Sequence, residues 1–259
     1  MNRQQLLGGG ARGFSPLKGK NLFTLAEGAT HVDMFGNYRK TAFTLAEVLI
    51  TLGIIGVVAA LTLPTVIHNH KKKDIETKLA RIYSVMNQAI IMAEAEHGDK
   101  KYWDYYNEHE SNLTYENALN WYNKYLAKYI KTTKVEKTFL DNEKLYLYFA
   151  DGSILSITPW VSDMFFYING KALTKPQNGL NAFSFQFYPV LKSYENYPEK
   201  WTYLVGKGFE PYAWSWDGTK EGLYYDGLYA CAKTKSPHYC TKIIQLNGWK
   251  IPDDYPLKF

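Results

Sequence analysis

The sequence predicts an α+β fold, a long N-terminal helix packed on an antiparallel β-sheet, on three observations. Phe43 to Ile67 is a run of 25 residues without Lys, Arg, Asp or His. Just beyond it, Ile75, Leu79, Ile82, Met86, Ala89, Ile90 and Ala93 recur at steps of three and four, with charged residues on the remaining faces. From Lys144 onward the pattern becomes short strand-like segments punctuated by Asp-Gly and Asn-Gly pairs.

The 259 residues leave room for one good-sized domain plus an extension. With 22 Tyr and 7 Trp, the apolar content is rich in aromatics, which suits strands and wet surfaces better than a helical bundle. The net charge of +5 is concentrated at the start, where residues 1–42 hold six basic and two acidic residues. The remainder is close to neutral and gives no support to direct nucleic-acid binding.

In chain order, residues 1–42 read as a leader. The pentapeptide FTLAE occurs at Phe23 to Glu27 and again at Phe43 to Glu47, and only the second copy opens an apolar segment. Met34 is an alternative start that gives the short basic leader MFGNYRKTA, and the first copy is then expected to be without function. Residues 43–67 read as a transmembrane helix, since 25 helical residues span about 37 Å against a hydrocarbon core of roughly 30 Å. The segment is longer than the apolar stretch of a secretory signal peptide. Its single ionisable side chain is Glu47. A carboxylate in hydrocarbon is costly and usually has a designated partner.

The stretch KTAFTLAEVLITLGIIGVVAALTLP resembles the cleavage and methylation region of prepilins, the precursors of type IV pilins and of type II secretion pseudopilins. The resemblance implies a cut between Ala42 and Phe43 by prepilin peptidase, N-methylation of Phe43, and assembly through Phe43, Thr44 and Glu47. It places Ala42 where the family usually has Gly. It further implies a structural subunit held in the cytoplasmic membrane with its C-terminal domain exported, then built into a periplasmic or cell-surface filament. The implied partners are other pilin or pseudopilin subunits, the peptidase and an inner-membrane assembly platform. The Phe43 amine of an incoming subunit would pair with the Glu47 carboxylate of one already placed.

The helix is expected to continue through an amphipathic part, residues 68–98, to reach about 80 Å, with a kink or a locally melted stretch at Gly53, Gly56 and Pro64. His68 and His70 point apart on a helix and are expected to be solvated. His97 followed by Gly98 reads as the helix end. Residues 99–259 form the globular domain, of pilin-like type on the resemblance. Within 101–135, Ala118, Leu119, Tyr122, Tyr125, Leu126 and Tyr129 suit one side of a second helix. The same aromatic segment suggests a second reading, a single-pass tethered protein that binds glycans and does not polymerise.

Asp151-Gly152, between KLYLYF and SILSIT, is the strongest hairpin signal. DMFFYING (163–170) and AFSFQFYPV (182–190) add further strands. This layout is similar to that of pseudopilin domains that hold calcium, but Tyr167 and Asn181 stand where that layout has acids, so no metal or other cofactor is expected even with Asp151, Asp163 and Asn169 nearby. Cys231 and Cys240 are expected to form a disulfide in an exported chain and to remain thiols in a cytosolic one. No P-loop, GxSxG, HExxH or CxxC occurs, and the chain is read as a non-enzyme.

Overall fold

The computed structural model describes residues 43–104, 106, 112–138, 141–189, 206–232 and 236–259. The chain divides into two compact units, Met1–Leu52 and Gly53–Phe259. In the first, the described part is the start of helix α1, which runs from Leu45 to His97. The leader, Ala42 and the candidate start at Met34 lie outside the described residues.

The second unit joins the rest of α1 to a six-stranded antiparallel meander in the order β1 (Lys134–Thr138), β2 (Asp141–Tyr148), β3 (Ile154–Ile157), β4 (Asp163–Tyr167), β5 (Ala182–Phe187) and β6 (Phe209–Pro211). Three short α-helices, α2 (Tyr115–Tyr125), α3 (Gly170–Thr174) and α4 (Cys240–Leu246), join it, with a 3-10 turn at Lys100–Tyr102 and a π-turn at Gly222–Asp226. All seven apolar residues of the predicted stripe on α1 are buried, while the charged residues between them face outward or form pairs such as Lys78 with Asp74 at 3.0 Å. The helix stops where expected. Gly98 has φ +79° and its N–H reaches the Glu94 carbonyl at 2.9 Å, a turn only glycine takes without strain.

Alternation in the strands decides which side chains enter the core. Antiparallel register aligns Leu147, Leu155, Phe166 and Phe183 in one row and Leu145, Ile157, Met164 and Phe185 in the next. Both rows belong to the cluster that includes the α1 stripe. Phe165, Tyr167, Ser184 and Gln186 take the intervening positions, and Tyr146, Ile154, Tyr167, Ala172 and Ala182 build a smaller cluster beneath α3. The Asp-Gly signal is realised as a β2–β3 hairpin: Gly152 has φ +78° and donates to the Phe149 carbonyl at 3.0 Å. At one end of the sheet, β1 is bulged between Lys137 and Thr138. At the other, both backbone groups of Phe209 bond to Asn87 on α1, at 2.8 and 2.9 Å.

On α2 the sequence reading is amended. Ala118, Tyr122, Tyr125 and Leu126 are buried, Leu119 and Tyr129 are half-buried, and Trp121, which that reading omits, is fully buried between Trp103 and Phe187. Trp121 lies three residues after Ala118 and four before Tyr125, hence on the same helical face. We expect Trp121→Ala to cost about 3–5 kcal/mol, read as a lowered urea midpoint. An unchanged midpoint would show that this face does not hold the domain together.

Candidate processing and assembly site

Thr44 immediately precedes the first residue of α1, and Glu47 is the third residue of the helix. The Glu47 Oε2 accepts from the Thr44 N–H and from the Thr44 hydroxyl, each at 2.8 Å, and the Glu47 N–H donates to the Thr44 Oγ1 at 3.2 Å. This is a reciprocal capping box, which satisfies two of the backbone donors that a helix start leaves open. The T-x-x-E pattern before an apolar run could have been read from the sequence; the sequence reading named Thr44 and Glu47 for assembly and not as a cap. Phe43, beside the cap, is 84% exposed.

From Phe43 to Ile67 every residue except Ala59 is exposed. Leu49, Ile50, Leu52, Ile54, Ile55, Val57 and Leu61 have no partner in the chain sufficient to cover them. A contiguous apolar surface of this kind is stable in lipid or against other apolar helices, not in water. Among the described residues this is the one helix long and apolar enough to cross a membrane. Cys231 and Cys240 are joined as a disulfide with their Cα atoms 4.7 Å apart, the first of the two states weighed for them.

Two matches to family models cover most of the chain. Residues 65–259 match a family described as a family of unknown function, DUF6613. The chain belongs to DUF6613. Residues 37–63 of this DUF6613 chain match the prokaryotic N-terminal methylation motif, which supports a prepilin-type pilin or pseudopilin. The motif and the one apolar helix together fit a single-pass, membrane-anchored protein. No curated protein and no solved structure matches the DUF6613 chain.

The remaining candidate residues of the DUF6613 chain lie apart from the N-terminal site. Helix α1 is unbroken through Gly53, Gly56 and Pro64, so the locally melted alternative does not occur. Proline removes one bond of the ladder, yet the helix continues on both sides of it, and the nearby Thr62 hydroxyl makes a side-chain bond to the Val58 carbonyl at 2.9 Å. His70 is exposed as expected, whereas His68 is half-buried with its ring 6.4 Å from that of Phe259. That partner is 191 positions away in sequence, beyond the reach of any local pattern.

The oxygen-bearing residues weighed for calcium have separate partners. Asp151 receives Arg81 at 2.8 Å and the Ser153 N–H at 3.0 Å, Asp163 receives the Trp160 indole at 3.1 Å, and Asn169 caps α3. Among the described residues no group of His, Cys, Asp and Glu is placed to hold a metal ion. Within 101–135, Trp103 and Tyr125 stack 4.3 Å apart inside the core rather than presenting a ring platform.

His238 bonds the Ser184 hydroxyl at 2.7 Å amid Tyr212, Tyr229 and Phe165, and burial holds its pKa below the ordinary 6.5. The folded chain therefore takes up this proton less readily than the unfolded one. Stability from this group is complete above about pH 6.5 and declines as pH falls below that value, by less than about 1.4 kcal/mol per pH unit. Comparing unfolding midpoints at pH 7.5 and 5.5, we expect His238→Gln to lose less stability on acidification than wild type. Equal losses would remove His238 as the cause.

Proposed function

We propose that this protein is a structural subunit of a type IV pilus-like or type II secretion pseudopilus filament. Prepilin peptidase cuts between Ala42 and Phe43 on the cytoplasmic side and methylates the new Phe43 amine. The subunit then waits in the cytoplasmic membrane with its C-terminal domain exported, until an inner-membrane platform feeds it into the filament. The observation that carries this reading is a lone carboxylate, Glu47, in the first turn of α1, within the otherwise uncharged and uncovered apolar run 43–67 that holds most of the methylation motif.

Each feature then has a physical task. The apolar side chains are covered first by lipid and later by neighbouring helices. The Phe43 amine of one subunit neutralises Glu47 of another, which removes the cost of keeping either charge in a low-dielectric surround. A Cβ at Gly53 or Gly56 would meet nothing within 4 Å in the chain, which supports a role for these glycines in contact with neighbouring copies. The burial of Trp103, Trp121 and Tyr125 withdraws three rings of the aromatic segment from its surface, which favours assembly over the tethered glycan-binding reading.

The test is the N-terminus and mass of the protein from membrane and sheared surface fractions. A chain that begins at methylated Phe43 and occurs in the sheared fraction is the expected result. An uncut chain confined to the membrane would overturn the reading.

A further inference from the structure

We propose that a lysine-lined cavity beside α1, just past its apolar run, binds the headgroup of an anionic phospholipid. The inference rests on the reading that residues 43–67 span the membrane. The cavity has a volume of about 870 Å³ and is bounded by α1, the start of α3, the loop at 177–181 and the last residues of the chain. Lys71, Lys171 and Lys258 reach it from three separate segments. Among the described residues none of the three has an ion-pair partner, the one carboxylate side chain in the lining, Asp74, is matched by Lys78 at 3.0 Å, and the three ammonium groups outnumber the α-carboxylate that Phe259 adds to the lining.

The amides of the lining reinforce the preference. The Oδ1 atoms of Asn169 and Asn181 accept from the backbone N–H groups of Ala172 and Gln177, at 3.0 and 2.7 Å. The oxygen ligands that a hard cation would need are thus already engaged, while three ammonium groups remain. The cavity is complementary to an anion. Its walls at Ile168, Leu180 and Leu257 are apolar and suit the glycerol and upper acyl part of a lipid.

Position along the helix favours lipid over a free phosphate ester. Lys71 follows Ile67 by four residues, a rise of about 6 Å. The polar layer of a bilayer is roughly 5–8 Å deep on each side of its hydrocarbon core. Anchoring through α1 therefore holds the lysines at headgroup depth, where the effective concentration of anionic lipid is high.

The experiment uses the full chain in neutral detergent, titrated with dioleoyl-phosphatidylglycerol or dioleoyl-phosphatidylcholine and read by native mass spectrometry. We expect one phosphatidylglycerol per chain to be retained and phosphatidylcholine to be lost. Lys71→Ala/Lys171→Ala/Lys258→Ala should weaken retention on the order of 100-fold, each lysine near an anionic surface contributing about fivefold. The equally charged control Lys101→Ala/Lys128→Ala/Lys220→Ala, at residues outside the cavity, should leave it unchanged. If the cavity triple variant fails to fold, Lys171→Glu alone carries the same expectation in weaker form.

Equal loss in the two triple variants, or equal retention of the two lipids, would overturn the assignment. Water-soluble glycerol phosphate binding as tightly as the lipid would overturn the lipid source and point to a free ester. Carbonate extraction of membranes carrying the wild-type chain separates the two levels of the argument. A chain that washes off refutes the membrane-span reading, whereas an integral chain without lipid selectivity sinks only the cavity assignment.

Discussion

Glu47→Ala is expected to lower the filament-associated fraction of the protein by roughly 150- to 5,000-fold, while the chain remains folded and membrane-bound. The argument is electrostatic. With the carboxylate gone, the methylated amine of Phe43 enters the apolar helix assembly without a counter-charge, and breaking such a buried pair from one side typically costs 3–5 kcal/mol. The substitution also removes the acceptor that bonds the Thr44 N–H and hydroxyl, so alanine alone confounds a lost pair with a lost cap.

Glu47→Gln separates them. Glutamine keeps an oxygen for the Thr44 N–H, and so keeps the capping box, but carries no charge. Sheared and membrane fractions quantified by immunoblot should show Glu47→Gln failing to assemble almost as completely as Glu47→Ala. Filaments at wild-type level from the glutamine variant would mean that the cap, not the charge pair, is what assembly requires.

Gly179→Ala is expected to destabilise the domain by about 2–5 kcal/mol, a large effect for a single added methyl group. Gly179 has φ +81°, where an L-residue is strained by roughly 1–2 kcal/mol. A Cβ there would lie 2.4 Å from the Sγ of Cys240 and 2.7 Å from Leu257 Cδ1. Neither the sulfur nor the glycine backbone gives way easily: the sulfur is tied to Cys231, and the Tyr255 hydroxyl holds the Gly179 carbonyl at 2.6 Å. Overpacking of this type adds about 1–3 kcal/mol.

Urea unfolding supplies the number, and a double-mutant cycle with Cys231→Ala/Cys240→Ala assigns it. Without the sulfur the alanine at 179 should cost less than it does beside the intact disulfide. An equal cost in both backgrounds would place the whole effect in the backbone.

Features set by short-range periodicity were legible in the sequence, and features set by distant residues were not. The α1 stripe could be named residue by residue because a helix repeats every 3.6 positions and a core must cover one face. The β2–β3 hairpin was legible because Asp-Gly offers a left-handed glycine between two alternating runs. By contrast, β1 reads KVEKT, with three charges in five residues that mask its alternation, and β6 has only three residues. Helices α3 and α4, of five and seven residues, are too short to show a period.

At the N-terminal site the candidate residues came from the motif, and the mutual bonding of Thr44 and Glu47 was announced by the T-x-x-E spacing, although the sequence reading did not draw it. The cavity at Lys71, Lys171 and Lys258 joins positions up to 187 apart, and no local pattern announces it.

The two ends of the meander bear on what happens when many copies crowd together in one membrane. An open sheet edge is a template for β-augmentation, and crowding turns such templates into amyloid-like growth. Here β1 carries Lys134, Glu136 and Lys137 and is kinked by its bulge, while β6 ends in Pro211 and has the backbone of Phe209 taken by Asn87. The sheet is in this sense self-terminating, and disordered cross-β aggregation is discouraged at the local densities that the proposed helix-to-helix polymerisation would demand.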